Sequence, residues 1–259
     1  MTTVRSARPL RAPLGEGPLF AEVGQELRWN LRGRPGWLAG IGFNFVLAAA
    51  YLGYYRSTAH FPDHGLAYIG ASLSAWVLAD PITTNQFGGE GERVAAAITG
   101  EVGIGRILLV KNLGLGLLLL MITLPVSLVA TAWVGQWRQL HDAVLIDLHV
   151  LLVWLGLGNI VSVLLPYRPI PFAERWRLRR TWLRWGSCLL IPYALYAVIG
   201  LLSIPVRAFA HGGRLHHPAQ YALLSLAWGI GYWLVATLAA RSLALRRPAR
   251  LLRDLHRPN

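Results

Sequence analysis

The stretch DPITTNQFGGEGERVAAAITGEVGIGRILLVKN, residues 80–112, decides how the chain is organised. It is a polar, glycine-punctuated segment between two long apolar runs. Within it Val94, Ala97 and Ile98 recur at spacings of three and four, so residues 90–99 are predicted to form a short amphipathic helix. Gly88, Gly89 and Gly91 are expected to loosen its start, and Gly100, Gly103 and Gly105 its end. A short helix between hinges, close under a membrane, suits a part that receives force from another protein. The plainer alternative is a connecting loop that only rejoins two spans.

Composition sets the class. Of 259 residues, 54% are hydrophobic and only 14% charged, and the mean hydropathy is +0.44. Soluble domains carry roughly 45–50% apolar and about 25% charged residues. The deficit in charge marks an integral membrane protein, and little length remains for a separate soluble domain. Cys188 is alone in an apolar run, which excludes a disulfide framework and reads as membrane packing. The net charge of +13 does not point to nucleic acid. Its arginines cluster just outside the apolar runs, where they set topology and meet anionic headgroups. The amino end has arginines but lacks the compact apolar core of a cleavable signal peptide.

Outward from the central stretch, the chain divides into three parts. Residues 1–36 are an amino-terminal segment, with residues 1–15 expected to be disordered. Over residues 18–32, Leu19, Val23, Leu27 and Leu31 recur every four positions, with Glu22, Glu26, Arg28 and Arg32 elsewhere on the helix. That pattern predicts an amphipathic helix lying on the membrane surface. Residues 37–240 hold six apolar runs, at 37–55, 66–79, 107–133, 144–165, 186–206 and 219–240. The second is short for a span, and Pro125 is expected to kink the third. Residues 241–259 form a basic tail. The expected fold is therefore all-α and integral to the membrane, with six transmembrane helices. Of the 25 basic residues, 21 fall in the two ends and the loops that share their side, and 4 in the other loops. This bias places both termini and the 80–112 stretch in the cytoplasm.

Several polar groups are candidates for a site. Asn44 and Asn159 lie within spans, and Asp147 and His149 lie near the start of the fourth. Asn44, Asp147 and Asn159 are candidates for lining a substrate path, with interhelical hydrogen bonding as the alternative for the asparagines. His60, His64, His141, His149, His211, His216 and His217 fall on or near the outer side, together with Asp63, Asp142 and Asp147. Histidine with carboxylate suits metal or proton binding, but no defined metal-ligand spacing is present, and no metal site is assigned. Gly114 and Gly116, like Gly156 and Gly158, mark close helix contacts.

A wider pattern is visible around the opening stretch. Asn85, Gln86, Phe87 and Gly88 precede an acidic helix, and a glycine-marked turn leads to Arg106 and Lys111-Asn112 at the third span. The fourth span ends in Gly158-Asn159-Ile160-Val161-Ser162-Val163-Leu164-Leu165-Pro166-Tyr167-Arg168. Together with the order of elements, these resemble the ABC type-2 family, the transmembrane permease subunits of bacterial ATP-binding-cassette exporters. The resemblance implies a homodimer or heterodimer of permeases in the bacterial cytoplasmic membrane, with ATPase subunits beneath. It implies that residues 90–99 are a cytoplasmic coupling helix docking on the ATPase through Glu90, Glu92 and Arg93. The amino-terminal helix would touch the same partner through Glu22, Glu26 and Arg28.

The chain itself has no Gly-x-x-x-x-Gly-Lys-[Ser/Thr] and no glycine–lysine pair. ATP would be bound by the partner, this chain would hold no cofactor, and it would not be an enzyme. The competing expectations are a multipass membrane enzyme acting on a lipid or lipid-linked sugar through outer-side His and Asp residues, and a structural or sensor membrane protein. An enzyme would gather its carboxylates and histidines at one depth. Here the best-organised polar segment lies on the cytoplasmic side.

Overall fold

A computed structural model of the chain describes residues 14, 17–32, 46, 50, 54, 84–134, 137–166, 179–202 and 218–256. Among these residues the fold is helical without strands. The helices are α1 (Leu19–Arg32), α2 (Gly91–Thr99), α3 (Ile104–Val134), α4 (Leu140–Leu164), α5 (Arg179–Leu202), α6 (Pro218–Arg246) and α7 (Pro248–His256). Short 3-10 turns, Gly88–Glu90 and Trp137–Gln139, lead into α2 and α4.

Three of the helices are long and apolar enough to cross a membrane: α3 over Ile104–Val129, all of α4, and α6 over Ala219–Arg246. A span of the hydrocarbon core needs about 20 residues. These are the expected third, fourth and sixth runs, and they make the chain a membrane protein. α5 covers most of the expected fifth run. The expected first and second runs lie outside the described residues, apart from residues 46, 50 and 54. Apolar side chains that face outward fit lipid contact, as at Leu117 and Met121 on α3 and Val235 and Leu238 on α6.

The spans are joined by one apolar core. Leu115, Leu118 and Leu119 of α3 meet Val150, Leu151, Val153, Trp154 and Leu157 of α4, with Ile199 of α5 against them. α4 and α6 approach each other most closely. A Cβ at Gly156 would lie 2.9 Å from Tyr232 Cε1 and 3.1 Å from Ala236 Cβ, and a Cβ at Gly229 would lie 3.1 Å from the His149 backbone. In a membrane, where apolar side chains gain little by leaving lipid, such small-residue contacts let backbones pack closely.

A second core closes the end of the bundle where α3 begins and α4 and α6 finish. Phe87, Val94, Ala95 and Ala97 are fully covered by Ile107, Leu108 and Val110 of α3, Val163 of α4, Ala240 and Ala244 of α6, and Leu251 and Leu255 of α7. The tail is therefore more than a solvated basic extension. α6 continues to Arg246, and α7 turns back with its leucines inward onto α2. A Cβ at Gly91 would lie 2.5 Å from the Leu255 carbonyl oxygen. Gly91 itself has ordinary helical backbone, φ −49 and ψ −45. The glycine is required there for room and not for freedom of turning.

Candidate functional site

The most organised polar arrangement lies where α1, α2 and α3 meet. α1 packs lengthwise on the first half of α3. Its inward face carries Glu22, Val23 and Glu26, at 3%, 6% and 1% exposure. Glu26 bridges two cations: its Oε1 accepts from Lys111 Nζ at 2.6 Å, and its Oε2 from Arg93 Nη1 at 2.8 Å. Glu90 repeats the pattern, with Oε2 2.9 Å from Arg93 Nη1 and 2.8 Å from Lys111 Nζ. Two carboxylates and two cations thus close a neutral ring. Burial alone would lower the Arg93 pKa, but Glu90 and Glu26 together hold it above its ordinary value. A second pair extends the junction outward: Arg106 reaches Glu22 Oε2 at 3.3 Å and donates to the Gly17 carbonyl at 2.9 Å.

Buried charges are tolerated only when each finds a partner, since an unpaired buried ion costs several kcal/mol. Here the pairing ties α1 to two elements more than fifty residues further along the chain. The ring fixes α2 to the start of a membrane-length helix and to α1. Gly114 makes room for it: a Cβ there would lie 2.8 Å from Glu26 Cγ.

The expected contact residues are therefore divided between two directions. Glu90 and Arg93 point inward and are occupied within the ring, as are Glu22 and Glu26 with their partners on α2 and α3. Glu92 stays exposed, and with Ala96 and Thr99 it forms the outer face of α2. Arg28 is also exposed, its Nε donating to the Gly24 carbonyl at 3.3 Å. The expectation for α1 needs the same correction. Its acidic residues, and not only its leucines, face the bundle, while Phe20 is 88% exposed. Leu19 and Leu27 also pack on the bundle's cores, so acidic and apolar residues share the inward side of α1.

At the far end of α2, the left-handed backbone expected of a glycine falls on the next residue. Gly100 has φ −80, while Glu101 has φ +63. Val102 N donates to the Ala97 carbonyl at 3.0 Å across this turn, which closes the helix as a left-handed cap does.

Deeper in the bundle the polar groups are neutral. Asn112 Nδ2 donates to Asn159 Oδ1 at 2.8 Å, and Asn159 Nδ2 donates to Thr237 Oγ1 at 2.8 Å. Trp233 Nε1 donates to Asn112 Oδ1 at 3.4 Å. This seam links α3, α4 and α6, so Asn159 serves helix association. Beside it Ser162 accepts from Gln86 N at 2.8 Å. The Gln86 side-chain amide is buried without a hydrogen-bond partner among the described residues.

Asp147 lies elsewhere. It is 1% exposed and accepts from the Ser127 hydroxyl. Ser127 is sixteen residues past Lys111 on α3, about 24 Å at 1.5 Å per residue. Asp147 and Asn159 are likewise about 18 Å apart along α4. Of the three residues expected on a substrate path, Asn44 lies outside the described residues, and Asp147 and Asn159 occupy different depths. Nor do Asp147 and His149 converge, since His149 packs on Gly229 of α6. His141 sits beside Asp142 at 3.2 Å on the surface. His60, His64, His211, His216, His217 and Asp63 lie outside the described residues. Among the described residues no three His, Cys, Asp or Glu side chains gather at one point.

Set against known proteins, the chain matches no family model, no curated protein and no solved structure. What can be said of its function therefore rests on its own residues.

Proposed function

We propose that this chain is the membrane subunit of an exporter driven by a separate ATPase, and that α2 is the element through which force enters. The observation that carries this reading is the closed ring of Glu26, Glu90, Arg93 and Lys111. It fastens a nine-residue helix to a membrane-length one, so a push on α2 moves α3 as one body. Packed cores transmit displacement in this way because they do not deform continuously.

The outer face of α2 suits a partner's groove. Glu92, Ala96 and Thr99 recur at helical spacing and are exposed, and only one of the three is large. Docking through this face replaces the arrangement in which Glu90 and Arg93 make the contact. Among the described residues nothing favours the membrane enzyme reading, because Asp147 and His149 turn to separate packing partners. A second permease copy, export and the bacterial cytoplasmic membrane belong to the proposal, with both termini on the cytoplasmic side.

The test is affinity purification of the tagged chain from its native membrane. The eluate is expected to contain a nucleotide-binding subunit and to hydrolyse ATP. Ala96→Trp, which enlarges the outer face without touching the ring, should release that subunit while the chain stays folded. An eluate without ATPase, or labelling of a cysteine at position 92 from outside intact cells only, would overturn the proposal.

A further inference from the structure

A cleft opens where α4 ends and α6 passes into α7. Val163, Leu164, Leu243 and Leu251 give it an apolar lining, and Arg247 and Arg250 line it as well. Both arginines are exposed. Arg250 has one carboxylate nearby, Asp254 at 3.7 Å, and this is a weak surface pair. Arg247 makes no ion pair among the described residues. The place is as informative as the composition. Leu164 is the last residue of one membrane-length helix, and Arg246 the last of another, so the cleft lies at the level of the lipid headgroups.

Two guanidinium groups over an aliphatic lining match one kind of molecule closely. A guanidinium presents a planar fork of donors that fits phosphate oxygens. The leucines offer a surface to the first methylenes of an acyl chain. From these features we infer that the cleft binds an anionic phospholipid of the surrounding bilayer, with its phosphate on Arg247 and Arg250 and its chain along Leu164 and Leu243. The excess of positive charge favours a lipid of net negative charge over a zwitterionic one. Because α7 also packs on α2 through Leu251 and Leu255, a lipid held here would brace the helix pair. The inference needs only the membrane placement of α4 and α6, and stands or falls apart from the exporter reading.

The test uses the detergent-purified full chain and native mass spectrometry. Phosphatidylglycerol and phosphatidylcholine are added at equal concentration, and retained lipid is counted. The wild type should keep phosphatidylglycerol in clear excess. Arg247→Gln with Arg250→Gln should lower that excess by roughly thirtyfold, at about 1 kcal/mol per basic residue. Arg246→Gln with Arg253→Gln removes the same charge outside the cleft and should leave the excess nearly intact. Millimolar inorganic phosphate should not displace the lipid. Equal retention of both lipids by the wild type overturns the site. An equal loss in both double variants reduces it to diffuse charge and overturns it too. Displacement by phosphate alone makes it a soluble-anion site, which also overturns the lipid assignment. Should the first double variant fail to fold, the wild-type lipid preference and its loss in high salt decide the matter.

Discussion

Two neighbouring regions of α3 hold polar groups in opposite ways. At its start, Lys111 sits in a ring of four full charges that spans α1, α2 and α3. One residue on, Asn112 opens a seam of neutral amides and hydroxyls that joins α3, α4 and α6. The difference follows the surroundings. Full charges are affordable near the interface, where any pair that opens can be rehydrated. Deeper in, neutral hydrogen bonds hold helices together without the penalty of a stranded ion. The ring is thus a device with large stakes at each member, and the seam one with small stakes.

The largest expected effect tests the ring. Lys111→Met leaves Glu26 and Glu90 facing each other with Arg93 alone, and should cost roughly 3–5 kcal/mol. Chemical unfolding in detergent would register this, and adding Glu90→Gln should restore part of the loss. A loss in Lys111→Met no larger than that in Asn159→Ala would erase the contrast between the two regions.

Gly156→Ala comes next. Its Cβ would meet Tyr232 at 2.9 Å and Ala236 at 3.1 Å, so α4 and α6 must shift apart, at about 1–3 kcal/mol. Thermal unfolding should show the loss, and Tyr232→Leu in the same chain should relieve it. Asn159→Ala removes two hydrogen bonds in the seam and should cost only about 1 kcal/mol, given how weak such bonds prove inside membranes. A loss several times that size, measured in the same unfolding assay, would mean the seam does more than join helices.

The smallest effect concerns the turn after α2. Glu101 holds a left-handed backbone at φ +63, where glycine is at ease. Glu101→Gly should be neutral or stabilising, by about 1 kcal/mol, since relief of the left-handed strain is partly offset by the entropy that glycine loses on folding. A clear loss in melting temperature would show that the Glu101 side chain contributes to the junction.

Much of the layout could be read along the chain. The apolar runs over α3, α4 and α6 are long enough to be unambiguous, and the periodicity of Val94, Ala97 and Ile98 marks α2 to within a residue of its start. Gly114 and Gly156 were legible as close contacts because small residues in a span have few other uses. The direction in which α1 and α2 turn was not legible. Glu22 and Glu26 look like surface residues by type, and nothing local announces cations more than sixty positions away. The docking of α7 was hidden for a similar reason: its arginines dominate the composition of the tail, while Leu251 and Leu255 act only once α2 is beside them.

By itself, then, the sequence determined that this is a membrane protein, that α3, α4 and α6 are long apolar helices, and where the short polar helix α2 sits ahead of them. Hydropathy and periodicity are local quantities, and a window of some twenty residues contains them. Only the tertiary structure decided that Glu26, Glu90, Arg93 and Lys111 belong to one another and that Glu92 alone of its group faces out. Pairing energy depends on distances between residues that the chain itself keeps far apart, and these are fixed only when the helices have packed.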